Sequence, residues 1–385
     1  ESGTIEHTSG TAIALKDNKN KKSAQLIMNG GAVNGTTAVT ASSGTVTING
    51  GEVTGTTGMT EGLAAITVGD NASLTLTGGS VTNANGNAIK VNGASAQFVM
   101  NGGAVNGVTA IYAEQGAVEI SNGTVTGTNS TVDGEAAILV NDNVTLTIKG
   151  GSVTNAKGNA ISINGVSSQF TMSGGTVNGR TKGVVSGGSA EISSGTIEGG
   201  TAINTVGSSI TISGGTFDST TADKEVVAAT TGSTTVAISG GSFKHEVPKV
   251  QCADGYVPCA DAKNPGRFSV EPISEPVASA EDALGVDKGT FSTVQDAINA
   301  AGLGGKVTLL RDNGDYATVS RSIVIDGAGC RMKNLTVMSI AGVKIMNLRA
   351  DTVTVSANAK AELSGENVFT ELVNNGALCE IIDGG

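Results

Sequence analysis

The side chains able to do chemistry are few in this chain of 385 residues, and they are scattered along it. The two histidines, His7 and His245, lie near opposite ends of the first 245 residues, too far apart to share a metal ion or a proton. Hydrolysis of a glycosidic bond needs two carboxyl groups held about 5 to 9.5 Å apart. Here the acids are dispersed, and neither an Asp-Asp pair nor a Gly-His-Gly run occurs. Calcium-binding β-helix repeats set an aspartate in a Gly-Gly-x-Gly-x-Asp pattern, and no repeat carries it. With no Trp and only three Tyr, at positions 112, 256 and 316, there is no aromatic platform for stacking sugars. Hydrogen bonding to a glycan through Asn, Ser and Thr remains open. No catalytic residue, cofactor site or metal site is therefore expected. The one candidate pair is Cys252 with Cys259, which enclose six residues and can close a small loop as a disulfide or stand as two free thiols. Cys330 and Cys379 are far apart, and no Cys-x-x-Cys motif exists.

The elements that must position any such residue are announced by an internal repeat. Two small residues, usually Gly-Gly, are followed one residue later by Val, Ile or Phe, with the second glycine at 3, 31, 51, 79, 103, 123, 151, 175, 195, 215 and 241. A unit of 72 residues recurs within this series. Gly78 to Gly107 matches Gly150 to Gly179 at 22 of 30 positions. Before each glycine pair, apolar residues alternate, as in Leu74 and Leu76, Phe98 and Met100, and Leu146 and Ile148. Period two means a strand with one buried face. After the glycines a short strand buries one residue, and a third strand reads Ala-Ile-x-apolar, as in Ala88 to Val91. Three short strands with Gly and Asn corners describe one triangular coil, because those residues tolerate the left-handed backbone of a sharp bend.

Stacked about 4.8 Å apart, such coils form parallel sheets and a core of apolar ladders. One predicted ladder is Ile66, Ile89, Ile111, Ile138, Ile161, Val184 and Ile203. The fold class expected is all-β: a right-handed parallel β-helix solenoid of about eleven coils, then a capping hairpin and a second short β-helix with an N-terminal helix cap. Loops at 56–61 and 128–133 should project from one face. Their acids Glu61 and Asp133 would then stand three coils, roughly 14 Å, apart, too far for one hydrolytic site. Asp142 could approach Asp133, although an Asp in a turn ordinarily caps backbone amides. Outward pairs on the strand before the glycines read Thr45 and Thr47, Gln97 and Val99, and Ala117 and Glu119. That array is too irregular for an ice-binding face.

All five prolines fall in 248–276, marking a boundary. The expected division is a repeat domain 1–247, a capping hairpin and linker 248–276 around Asn264-Pro265-Gly266, and a second domain 277–385. That last domain should begin with a helix rather than a strand, with Ser292 and Gln295 as a capping box. Its apolar stripe would be Phe291, Val294, Ala297, Ile298 and Ala301, and Gly302 would close it. Strands are expected at 306–310, 322–325, 334–338, 343–348 and 352–355.

The Gly-Gly repeats, the segment Cys252 to Val257 with Arg267 to Val270, and the run Phe291 to Gly302 followed by Lys306 to Asp312 together resemble the pectin-lyase-like repeat regions of large secreted surface proteins of anaerobic, gut-type bacteria. The resemblance implies a parallel β-helix in an extracellular or cell-surface setting. Enzymes of this fold mostly cleave acidic polysaccharides, whereas the surface repeats are often non-enzymatic stalks or adhesive surfaces. The reading is therefore a non-enzymatic, monomeric display module without a cofactor, for a glycan or surface-protein ligand. The alternative is a polysaccharide lyase or glycoside hydrolase. A net charge of −11 repels nucleic acid, and no apolar run approaches the roughly 18 residues needed to cross a bilayer, so no membrane insertion is expected in this segment.

Overall fold

The computed structural model describes residues 3–16, 23–58, 63–128, 136–221, 227–229, 234–253, 256–261, 264–272, 276–375 and 378–382. The chain forms two compact units, 1–272 and 273–385, each with its own apolar core.

The first unit is a parallel β-solenoid. Residues after the glycine corners stand in register through eleven rungs: Ile5, Val33, Val53, Val81, Val105, Val125, Val153, Val177, Ile197, Phe217 and Phe243. The Ala-Ile ladder contains the seven residues expected, and Val39 and Val227 extend it. Its members from Ile66 to Ile203 are fully buried, each contributing about 1.5 to 3 kcal/mol of apolar transfer energy relative to an exposed side chain. The corners explain the glycine content. From Gly31 to Gly241 the second glycine of every corner has a positive φ, between 75° and 112°. At Gly103, where φ is +79°, a Cβ would also lie 2.7 Å from the carbonyl oxygen of Gly79 one coil below. Backbone conformation and close coil approach both select glycine there. A second kind of corner uses buried asparagine. The amides of Asn83 and Asn155, 72 residues apart, each donate at 2.9 Å to a main-chain oxygen four residues on.

The far end of this unit is covered by an antiparallel hairpin, Tyr256–Ala260 with Phe268–Pro272, whose second strand pairs antiparallel with Ser242–Phe243. Arg267 fastens it. Its guanidinium donates to Asp218 at 2.6 Å and to the Ser242 hydroxyl at 2.8 Å, while Phe217 and Phe243 stack beneath with ring centroids 5.0 Å apart.

The second unit departs from expectation at its start. Two antiparallel strands, Ala278–Glu281 and Asp287–Phe291, precede the helix, and the first of them also pairs antiparallel with Lys306–Leu309. The Ala- and Ser-rich first strand lacks the β-branched pattern of the repeats. Asp282 makes the hairpin turn, its carboxylate accepting from the amides of Leu284 and Val286. The helix Val294–Ala301 is capped by Thr293, not Ser292. The Thr293 hydroxyl accepts from the Asp296 amide at 3.1 Å and donates to the Asp296 carboxylate at 2.7 Å. Gln295 reaches away to the main chain of Thr318. This one-residue shift sets Val294 in the core with Ala297, Ile298 and Ala301, while Phe291 belongs to the preceding strand. Gly302 ends the helix at φ +68°. Two parallel rows follow. One is Lys306–Leu309, Val324–Asp326, Val343–Met346, Lys360–Ser364 and Leu378–Ile382. The other is Tyr316–Val319, Arg331–Val337, Arg349–Val355 and Val368–Asn374. The strands at 316–319, 360–364, 368–374 and 378–382 add to the five expected.

Candidate functional site

The outward side of the Ala-Ile row holds the most unusual polar cluster of the first unit. Thr67, Lys90, Tyr112, Leu139 and Ser162 occupy equivalent places on successive coils. Among the described residues Lys90 is the one charged residue that is buried, at 3% exposure. Its Nζ lies 2.9 Å from Glu114 Oε1 and 5.4 Å from the centre of the Tyr112 ring. The Tyr112 hydroxyl accepts from Asn141 Nδ2 at 3.1 Å, so the cluster spans three coils.

A local irregularity makes this possible. Val91 pairs with Ala113 but Asn92 pairs with Gln115, so Glu114 is an extra residue, a β-bulge that turns its carboxylate toward Lys90. The ammonium is enclosed and charge-paired and the phenol is held by an amide, so the cluster clamps coils together and presents a polar, aromatic patch rather than an unpaired nucleophile. It lies between the coils that carry the two long insertions. Glu61 and Asp133, on those insertions, fall outside the described residues.

The other sequence candidates are not brought together. His7 is exposed and accepts from the Ser9 amide at 3.3 Å. His245 follows the last rung, with a buried Nε2 that has no hydrogen-bond partner among the described residues. Asp142 is exposed in the turn before Val144. Cys252 and Cys259 are both free thiols, the latter 3.1 Å from the Ser269 hydroxyl. Burial pushes the Cys252 thiol above its ordinary value, with Lys249 acting against it. Among the described residues no group of three His, Cys, Asp or Glu side chains could hold a metal ion, and no helix is long and apolar enough to cross a membrane.

At the corner that precedes the glycines, some side chains bond from coil to coil. Asn49 Nδ2 donates to Asn29 Oδ1 and the Thr77 hydroxyl to Asn49 Oδ1, both at 2.8 Å. Further along, Lys149 donates to Glu119 at 2.7 Å, and that bond holds the Glu119 carboxyl below its usual range. Reading the sequence missed Lys90 with Glu114. A signal was present: the 72-residue duplicate carries Ser162 where the first copy has Lys90.

No family profile, no curated protein and no solved structure matches this chain.

Proposed function

We propose that the chain is a non-enzymatic display module of the pectin-lyase-like kind, from a secreted or cell-surface protein of an anaerobic, gut-type bacterium. The first unit sets a binding surface at a distance and offers polar side chains to a glycan or a surface protein. The observation that carries this reading is the unbroken eleven-rung register. Length is built by repetition, roughly 50 Å of it at 4.8 Å per rung, and polar groups on neighbouring coils satisfy one another, as Asn29, Asn49 and Thr77 do. Such a stack behaves as a sum of nearest-neighbour contacts.

The test has two arms. Deleting Gly79 through Gly150 removes three coils, about 14 Å of the first unit at 4.8 Å per coil, and should leave that unit unfolding cooperatively in denaturant. Incubating the intact chain with polygalacturonate, alginate and glycosaminoglycans, with and without calcium across pH 5 to 9, should yield neither unsaturated uronates nor new reducing ends. A calcium-dependent unsaturated product would replace the display reading with the lyase one.

A further inference from the structure

The second unit carries a polar cleft for which the solenoid of the first unit has no use. It has a volume of about 210 Å³ and crosses three successive coils, lined among others by Ser322, Gly342, Lys344, Lys360 and Glu362. That is smaller than the roughly 300 to 1,000 Å³ of drug-sized sites, and suits one sugar residue. Lys344 and Glu362 are loosely paired at 3.4 Å, both partly exposed, and Lys360 has no ion-pair partner among the described residues. The Lys360 stem passes over Gly342, its Cδ 3.6 Å from where a Cβ would stand. In a chain of net charge −11 the lining is therefore locally cationic.

We propose that this cleft binds a sulfate or phosphate ester carried on a sugar, with Lys344 and Lys360 on the oxyanion. Each lysine ammonium brings three donors, and the three terminal oxygens of a sulfate or phosphate ester offer the two ammonium groups more acceptors than the two oxygens of a carboxylate. The lining thus favours a tetrahedral oxyanion over a uronate. The inference deepens the display reading, on which it rests in taking the ligand to be a glycan.

Titration calorimetry on the full chain tests it with four probes: a 6-sulfated galactose oligosaccharide, galactose 6-phosphate, a galacturonate oligomer and inorganic sulfate. The two esters should bind saturably and more weakly as salt rises. Lys360→Gln should weaken them about tenfold, with an unchanged circular dichroism melt, whereas Lys333→Gln, outside the cleft, should leave them unaltered. The proposal is overturned if the esters do not bind, if Lys360→Gln binds them as the parent does, or if galacturonate or inorganic sulfate binds equally well. Binding that survives Lys360→Gln places the ligand elsewhere and leaves the display reading intact. Cleavage of the bound oligosaccharide removes the display reading and leaves the cleft.

Discussion

In residues 1–272 the coils repeat one corner built on a positive-φ glycine, whereas in 273–385 positive-φ glycines at 329, 342 and 365 share the corners with side chains that differ from turn to turn. The first unit's Gly-Gly corners hold φ positive and bring each glycine against the carbonyl of the coil below. In the second unit the corner after Val324–Asp326 is made by Asp326, whose Oδ1 accepts from the Ala328 amide at 3.0 Å. Equivalent corners use Asn347 Oδ1 on the Glu366 amide and Asn367 Oδ1 on the Leu348 amide. Ala328 and Asn347 themselves adopt positive φ, at 47° and 50°. Both solutions produce a parallel stack. The glycine corner is uniform, so it can be duplicated with the repeat; the side-chain corner needs a specific polar partner at each turn, and it introduces charge, as where Asp326 pairs with Lys306 at 3.0 Å. The regular unit is suited to length and the irregular one to individual sites.

The largest break in this comparison is expected from Ile138→Asp. The side chain is fully buried between Ile111 and Ile161, and an unpaired carboxylate there should cost roughly 4 kcal/mol. Denaturant unfolding should show the transition of 1–272 collapse while that of 273–385 persists; joint loss of both would mean that the units do not fold separately. Next, Gly103→Ala should cost about 3 kcal/mol, from left-handed backbone strain plus the clash with Gly79, and a loss below about 0.5 kcal/mol would refute the corner argument.

Glu114→Gln should cost about 2 kcal/mol, because it leaves the Lys90 ammonium buried without its countercharge. Adding Lys90→Met should restore most of that loss in a double-mutant cycle, whereas equal losses in single and double variants would mean that the pair is not coupled. At the side-chain corner the sign reverses: Ala328→Gly should raise stability by about 0.5 kcal/mol, relief of strain outweighing the added chain entropy, and destabilisation would show that Ala328 is unstrained.

The smallest effect concerns pH. Burial raises the Asp326 carboxyl, but Lys306, the Ala328 amide and Asn347 outweigh it and leave the group below its ordinary value. Its contribution is therefore present above the usual carboxylate range and lost as pH falls through the lower folded value. Between pH 4 and 2 the midpoint of the second unit should fall more steeply in the parent than in Asp326→Asn, and parallel curves would remove this linkage.

What the amino-acid sequence determined by itself was the stack. Alternation with period two states which face is buried, and a glycine recurring at a corner states where the backbone must turn; both are local properties, so the ladder from Ile66 to Ile203 was legible residue by residue. Tertiary structure decided wherever a choice depended on a partner distant in the chain. Glu114 meets Lys90 only because one residue bulges out of register, which alternation cannot foretell. Thr293 caps the helix in place of Ser292 because Val294 must reach the core and Asp315 Oδ2 accepts from its amide at 2.7 Å. The strand Ala278–Glu281 exists because Lys306–Leu309 offers it an edge, and the Lys344 and Lys360 cleft arises where three coils, each unremarkable in sequence, place small residues and cations side by side.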